Sequence, residues 1–237
     1  MSYSPESYER DFLATNASAD TRASFLQKVY THVFASVVLM FGLIALFANT
    51  IGPAFAGFAF QSWWLVLLTF MGVSWVAQKM AMSQASRGMQ YAGLGLYTLA
   101  EALILTPLVT VAISFPQFGA DLVYQAMLLT ALTFGGLTAV VFYTGANFSF
   151  LKGFLGIAFF AVMGLIAVSL IFGLNLGTWF SVAMVALLAV NILYQTSTIR
   201  DEFPTDAYVA AALWLVGSIA TLFFYILQIL MAFAGDD

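Results

Sequence analysis

The chain has 237 residues, of which 62% are hydrophobic and 8% charged, and its net charge is −4. Soluble domains carry about 25% charged residues, so a water-covered globule is excluded; without a basic run, so is a nucleic-acid-binding surface. The lack of cysteine removes disulfides and thiolate metal sites.

Residues 1–24 carry Glu6, Glu9, Asp11 and Asp20 and lack the basic start and short apolar stretch of a cleavable signal peptide. They are expected to form a polar, partly disordered cytoplasmic tail ahead of a membrane domain over 25–237. Crossing about 30 Å of hydrocarbon at a rise of about 1.5 Å takes about 20 apolar residues. Seven stretches qualify: 29–51, 63–82, 90–114, 120–144, 153–172, 178–199 and 208–234. Strict apolar–polar alternation is absent, so the spans are helices and not barrel strands. The expected fold class is an all-α integral membrane protein with seven transmembrane helices.

The connections carry turn chemistry: Gly52-Pro53, Phe115-Pro116, Gly145 with Asn147, Gly173 with Asn175, and Pro204. Trp63, Trp64 and Trp179 lie at span ends, where indoles favour the headgroup layer. Arg10, Arg22 and Lys28 precede the first span, Lys79 and Arg87 flank the second-to-third connection, Lys152 the fourth-to-fifth and Arg200 the sixth-to-seventh. With seven spans every basic residue falls on one side, which the positive-inside rule assigns to the cytoplasm. The N-terminus is then in and the C-terminus, ending Asp236-Asp237, out.

Ionisable groups inside a bilayer are costly and mark functional positions. Glu101, in YTLAEALILTPLV, lies roughly 16 Å from the cytoplasmic end of its span, near mid-bilayer. It is either a proton or cation site in a central cavity or a neutral acid hydrogen-bonded to a neighbouring helix. Pro107, six residues on, frees a backbone carbonyl and favours a local opening there. His32 is a candidate pH sensor or a plain interfacial side chain, and alone it makes no zinc site. Gln125, Thr130, Thr133, Thr138, Asn191, Gln195, Thr196, Ser218, Thr221 and Gln228 are candidates for hydrogen bonds between helices. Gly135-Gly136, Gly153, Gly156 and Gly164 suggest close helix contacts. The acidic loop 201–206 reads as a solvated turn or a cation-attracting mouth. No phosphate-binding glycine loop, HExxH or GxSxG is present, so neither an enzyme nor a cofactor is expected. Span seven has no lysine for a retinal Schiff base.

The stretch QAMLLTALTFGGLTAVVFYTGANFSFLKGFL, from Gln125, resembles the fourth-to-fifth helix signature of the Bax inhibitor-1 family, including its bacterial YccA-type members. FLQKVYTHVFASVVLMFG from Phe25, YTLAEALILTPLV from Tyr97, and LYQTSTI with AALWLVGSIATLFFYILQIL are similar to that family in the same order. The resemblance implies six helices packed around a central seventh and a multi-pass protein of the bacterial inner membrane. It implies a leak of calcium or other cations linked to stress; the alternative is a non-conducting protein that modulates a membrane protease such as FtsH. Leak-type members carry an aspartate on each of the last two helices as a proton-sensitive latch. Here those positions read Gln195 and Ser218, with Thr221 where the family has asparagine. Neither Gln195 nor Ser218 titrates, and Lys79 sits too near its helix end to be a buried basic partner. The candidate permeation or polar-core set is therefore Glu101, Gln195, Ser218, Asn191 and Thr221.

Overall fold

The computed structural model describes residues 17–83, 86–114, 119–174 and 176–235. Eight helices succeed one another among them: α1 Ala19–Thr50, α2 Gly52–Gln61, α3 Trp63–Ala81, α4 Arg87–Ser114, α5 Gly119–Thr144, α6 Leu151–Phe172, α7 Gly177–Asp201 and α8 Tyr208–Gly235. All but α2 are long and apolar enough to cross a bilayer, which gives the seven spans expected. Residues 1–16 of the tail, the break at Phe115-Pro116, Asn175 and the Asp236-Asp237 end lie outside the described residues.

Two boundaries differ from expectation for local reasons. Helix α1 starts ten residues before the first span, because Ser18 caps it by accepting a bond from the Thr21 amide at 3.3 Å and Asp20 sits in its first turn. Gly52-Pro53 does not end in a loop but opens α2, since proline at the first helical turn has no amide to leave unpaired. At Pro107, α4 continues without a break, although the Leu103 carbonyl loses its amide partner.

Helix α8 is the centre, as expected, with two thirds of its apolar window buried and contacts to α1, α3, α4, α5 and α7. Leu215, Leu222, Phe223 and Leu227 are shut off from the surface. Helix α4 shares that centre and packs against α1, α2, α3, α5 and α8. The two cross closely with their neighbours at glycines. A β-carbon on Gly93 would lie 2.6 Å from the Ala77 carbonyl and the Ala81 amide of α3, and one on Gly217 would strike the Tyr97 hydroxyl. The glycines expected to make such contacts, Gly135, Gly136, Gly153, Gly156 and Gly164, face open space instead. They lie on α5 and α6, and α6 packs mainly on α7 with no residue of its apolar window buried.

One end of the bundle collects the cationic side chains. Arg87, at the start of α4, donates to the Asp206 carbonyl before α8 at 2.7 Å, and Lys28 of α1 lies over the Tyr208 ring. Arg200, ending α7, donates to the carbonyls of Val141, Gly145 and Ala146 at 2.7, 3.2 and 3.0 Å and pairs with Asp201 at 2.7 Å. It thereby ties down carbonyls of the last turn of α5 and of the connection that follows it.

Candidate functional site

Glu101 is buried in α4, and its carboxyl interacts with the Tyr97 side chain one helical turn earlier. It lines a cavity of about 470 Å³ between α3, α4 and α8, together with Ser74, Gln78, Tyr97, Thr221 and Tyr225. Two further cavities continue it. Toward the basic end, one of about 360 Å³ shares Gln78 and Tyr97 and reaches Met82 and Phe203. Toward the other end, one of about 420 Å³ shares Phe224 and Tyr225 and reaches Gly177, Ser181 and Gln228. Along α8 the row runs from Ala210 to Gln228, roughly 27 Å at the helical rise and close to the thickness of a hydrocarbon core.

Tyr97 and Gln78 line both of the first two cavities, and Phe224 and Tyr225 both of the last two. Tyr97 has little freedom, since its hydroxyl rests on Gly217 of α8. The Tyr225 ring meets Phe180 and Phe224 edge to face at 6.0 and 5.2 Å. The row is thus a set of three cavities that share wall residues and open toward the outside of the bundle, where Met71, Trp75 and Gln78 are exposed, with Glu101 the buried carboxyl of the middle one.

Gln195, Ser218 and Asn191 lie elsewhere. The Asn191 amide donates to Ser218 Oγ at 3.1 Å, and Ser218 donates to Gln195 Oε1 at 2.8 Å. Asn191 and Gln195 are four residues apart, so they share one face of α7 and bracket the serine of α8. None of the three lines these chambers. Thr221 lines the middle chamber, and its hydroxyl bonds the Gly217 carbonyl of its own helix at 2.8 Å. The candidate set therefore splits in two: Glu101 and Thr221 on the chamber side, and a neutral relay on the α7 side.

The other candidates sort by helix face. Gln228 accepts from Ser181 at 2.9 Å across α7 and α8, whereas Thr130 bonds only its own helix and Gln125 is exposed. Lys79 is exposed over the Trp75 ring at 5.7 Å. In the acidic loop Asp201 is held by Arg200, while Phe203 lines the chamber at that end. Sequence reading passed over Tyr97, Ser74 and Gln78. The signal was available in spacing: Tyr97 precedes Glu101 by four residues, and Ser74 and Gln78 are four apart on a mostly apolar helix.

The profile of the family described as inhibitor of apoptosis-promoting Bax1 matches residues 22–235. The chain belongs to the Bax inhibitor-1 family. Its relatives in that family span bacteria and eukaryotes. Bax inhibitor 1 of Schizosaccharomyces pombe is 30% identical over 223 residues, covering 91% of this chain and 79% of the relative. An uncharacterised protein of Pseudomonas aeruginosa is 34% identical over 178 residues, 73% of this chain and 76% of its own. Protein lifeguard 4 of Mus musculus is 27% identical over 248 residues, 97% and 95% respectively. Membership of the Bax inhibitor-1 family covers every described span.

Proposed function

We propose that this family member is a cation leak protein of a bacterial inner membrane, with its path along α3, α4 and α8 past Glu101. The observation that carries the reading is the row of three chambers with shared walls and a buried carboxyl in the middle one. An ionisable group at that depth is costly and by default marks a functional position. The positive-inside rule makes the end bearing Lys28, Arg87 and Arg200 the cytoplasmic mouth.

The test is flux from proteoliposomes, with calcium first and potassium and protons beside it, for wild type and Glu101→Gln. Flux that falls in the variant supports the path. Silence of the wild type for every ion and pH, or a variant that conducts as well as the wild type, ends the proposal.

A second reading is a non-conducting protein that modulates a membrane protease. The observation favouring it is α6, which presents most of its surface away from the bundle. Crosslinking in native membranes should then recover a protease through α6, and deletion of residues 1–24 should weaken its regulation. Recovery of no protease removes this reading.

A further inference from the structure

At the basic end, the N-terminal parts of α1, α4 and α8 bring five side chains together that the chamber row does not use. The His32 ring stacks on Tyr91 with centroids 5.5 Å apart and planes 16° from parallel, and lies 5.2 Å from the Tyr208 ring. The two tyrosine hydroxyls are hydrogen-bonded at 2.9 Å. Lys28 Nζ is 5.5 Å and the Arg87 guanidinium carbon 5.1 Å from the centroid of that same Tyr208 ring. Both cations are exposed.

Their hydrogen bonds leave the charges uncompensated. Arg87 donates to Gln90 Oε1 at 3.0 Å and to the Asp206 carbonyl at 2.7 Å, both neutral acceptors. His32 Nδ1 donates to the Lys28 carbonyl at 2.6 Å, which leaves Nε2 as its remaining polar atom. Among the described residues the ion pair found is Arg200–Asp201, so no described carboxylate reaches Lys28 or Arg87. Two like charges gathered at one ring repel each other, and an anion placed between them relieves that cost.

The surface below the cluster is apolar. One and two turns deeper on the same faces, α1 exposes Ala35 and Leu39, and α4 exposes Gly95 and Leu99. Gly95 has open space where a side chain would stand. Cations at the helix ends above an open apolar track match a headgroup above an acyl chain; basic pockets between helices at this depth bind anionic lipids.

We propose that Lys28, Arg87, His32 and the Tyr91–Tyr208 pair form a site for the phosphodiester of an anionic phospholipid, its acyl chain lying along Leu39 and Leu99. The site is independent of whether the chambers conduct.

Delipidated full-length protein titrated with phosphatidylglycerol or phosphatidylcholine of matched chains, read by native mass spectrometry, tests it. Phosphatidylglycerol should bind preferentially, and Lys28→Gln with Arg87→Gln should weaken it about 30-fold. Lys79→Gln, on the same side but over Trp75, should leave binding unchanged. Photoactivatable phosphatidylglycerol on wild type should label peptides from the starts of α1, α4 and α8. Equal binding of the two lipids, full binding by the double variant, or labelling elsewhere would overturn the site. Displacement by inorganic phosphate at matched concentration would reduce it to a free-anion site and also overturn it.

Discussion

Helix α8 presents two unlike polar surfaces within one turn. Toward α7, Ser218 is buried between Asn191 and Gln195 in a relay that joins two helices by direct hydrogen bonds. Toward α3 and α4, Thr221 faces a chamber with Glu101, and its hydroxyl returns to its own backbone. The first surface holds helices together with groups that never titrate. The second leaves space beside a group that can. Cohesion and chemistry are thereby separated onto neighbouring faces of the central helix, about 60° apart, and a proton is not needed to keep α7 on α8.

The most damaging way to break the contrast is to force apart α3 and α4, the two helices that flank Glu101 with α8. Gly93→Val places a branched side chain where the α3 backbone lies 2.6 Å from a β-carbon. Overpacking against backbone is expected to cost about 3 kcal/mol or more, seen as lost thermal stability in detergent. Gly156→Val on α6, where nothing stands nearby, should change little. Next comes Glu101→Gln, which keeps the shape and removes the charge. Flux should fall about tenfold, equivalent to about 1.4 kcal/mol of barrier, while the melting temperature stays or rises because a buried ionisable group is gone.

Ser218→Ala should do the reverse. It leaves the Asn191 amide without its acceptor and Gln195 Oε1 without its donor. The loss is about 1 kcal/mol for two interhelical bonds in a membrane, read by thermal unfolding, with flux little altered. The sharper version is Gln195→Asp with Ser218→Asp. Two carboxylates in one buried site share a proton at low pH and repel once both ionise, so they titrate in two coupled steps. That variant should lose stability as pH rises through the upper step. Its pH–stability curve minus that of the wild type isolates the α7–α8 joint, and a difference curve without a downward step sinks the account of the neutral relay.

The number of spans and the gathering of basic residues at one end were legible in the sequence, because span length and charge are one-dimensional properties, whereas the central place of α8 was implied only by the family resemblance. Position around a helix was less so. Depth along the bilayer puts Glu101 and Gln195 at comparable interest but does not say that α8 stands between their surroundings. The small-residue reading failed for the same reason. Gly135 and Gly156 have the spacing of contact residues but face outward, while Gly93 and Gly217 meet α3 and Tyr97. Helix α2 was hidden because Gly-Pro signals either a stop or a start, and the residues C-terminal to it decide between the two: Ala56 and Ala59 pack inward. The relay could be anticipated from the four-residue spacing of Asn191 and Gln195, but its partner on α8 could not.

The smallest effect separates the two hydroxyls most cleanly. Thr221→Val keeps the shape and deletes an oxygen whose bond is to the Gly217 carbonyl, already an acceptor in its own helix. No interhelical bond is lost, so stability should move by less than about 0.5 kcal/mol. The methyl that replaces the hydroxyl does, however, face the chamber beside Glu101 and removes one of its few polar wall atoms. Flux should drop by about twofold, a barrier change of about 0.4 kcal/mol. If Thr221→Val instead costs as much stability as Ser218→Ala and leaves flux untouched, both residues serve cohesion and the division between the two sides of α8 does not hold.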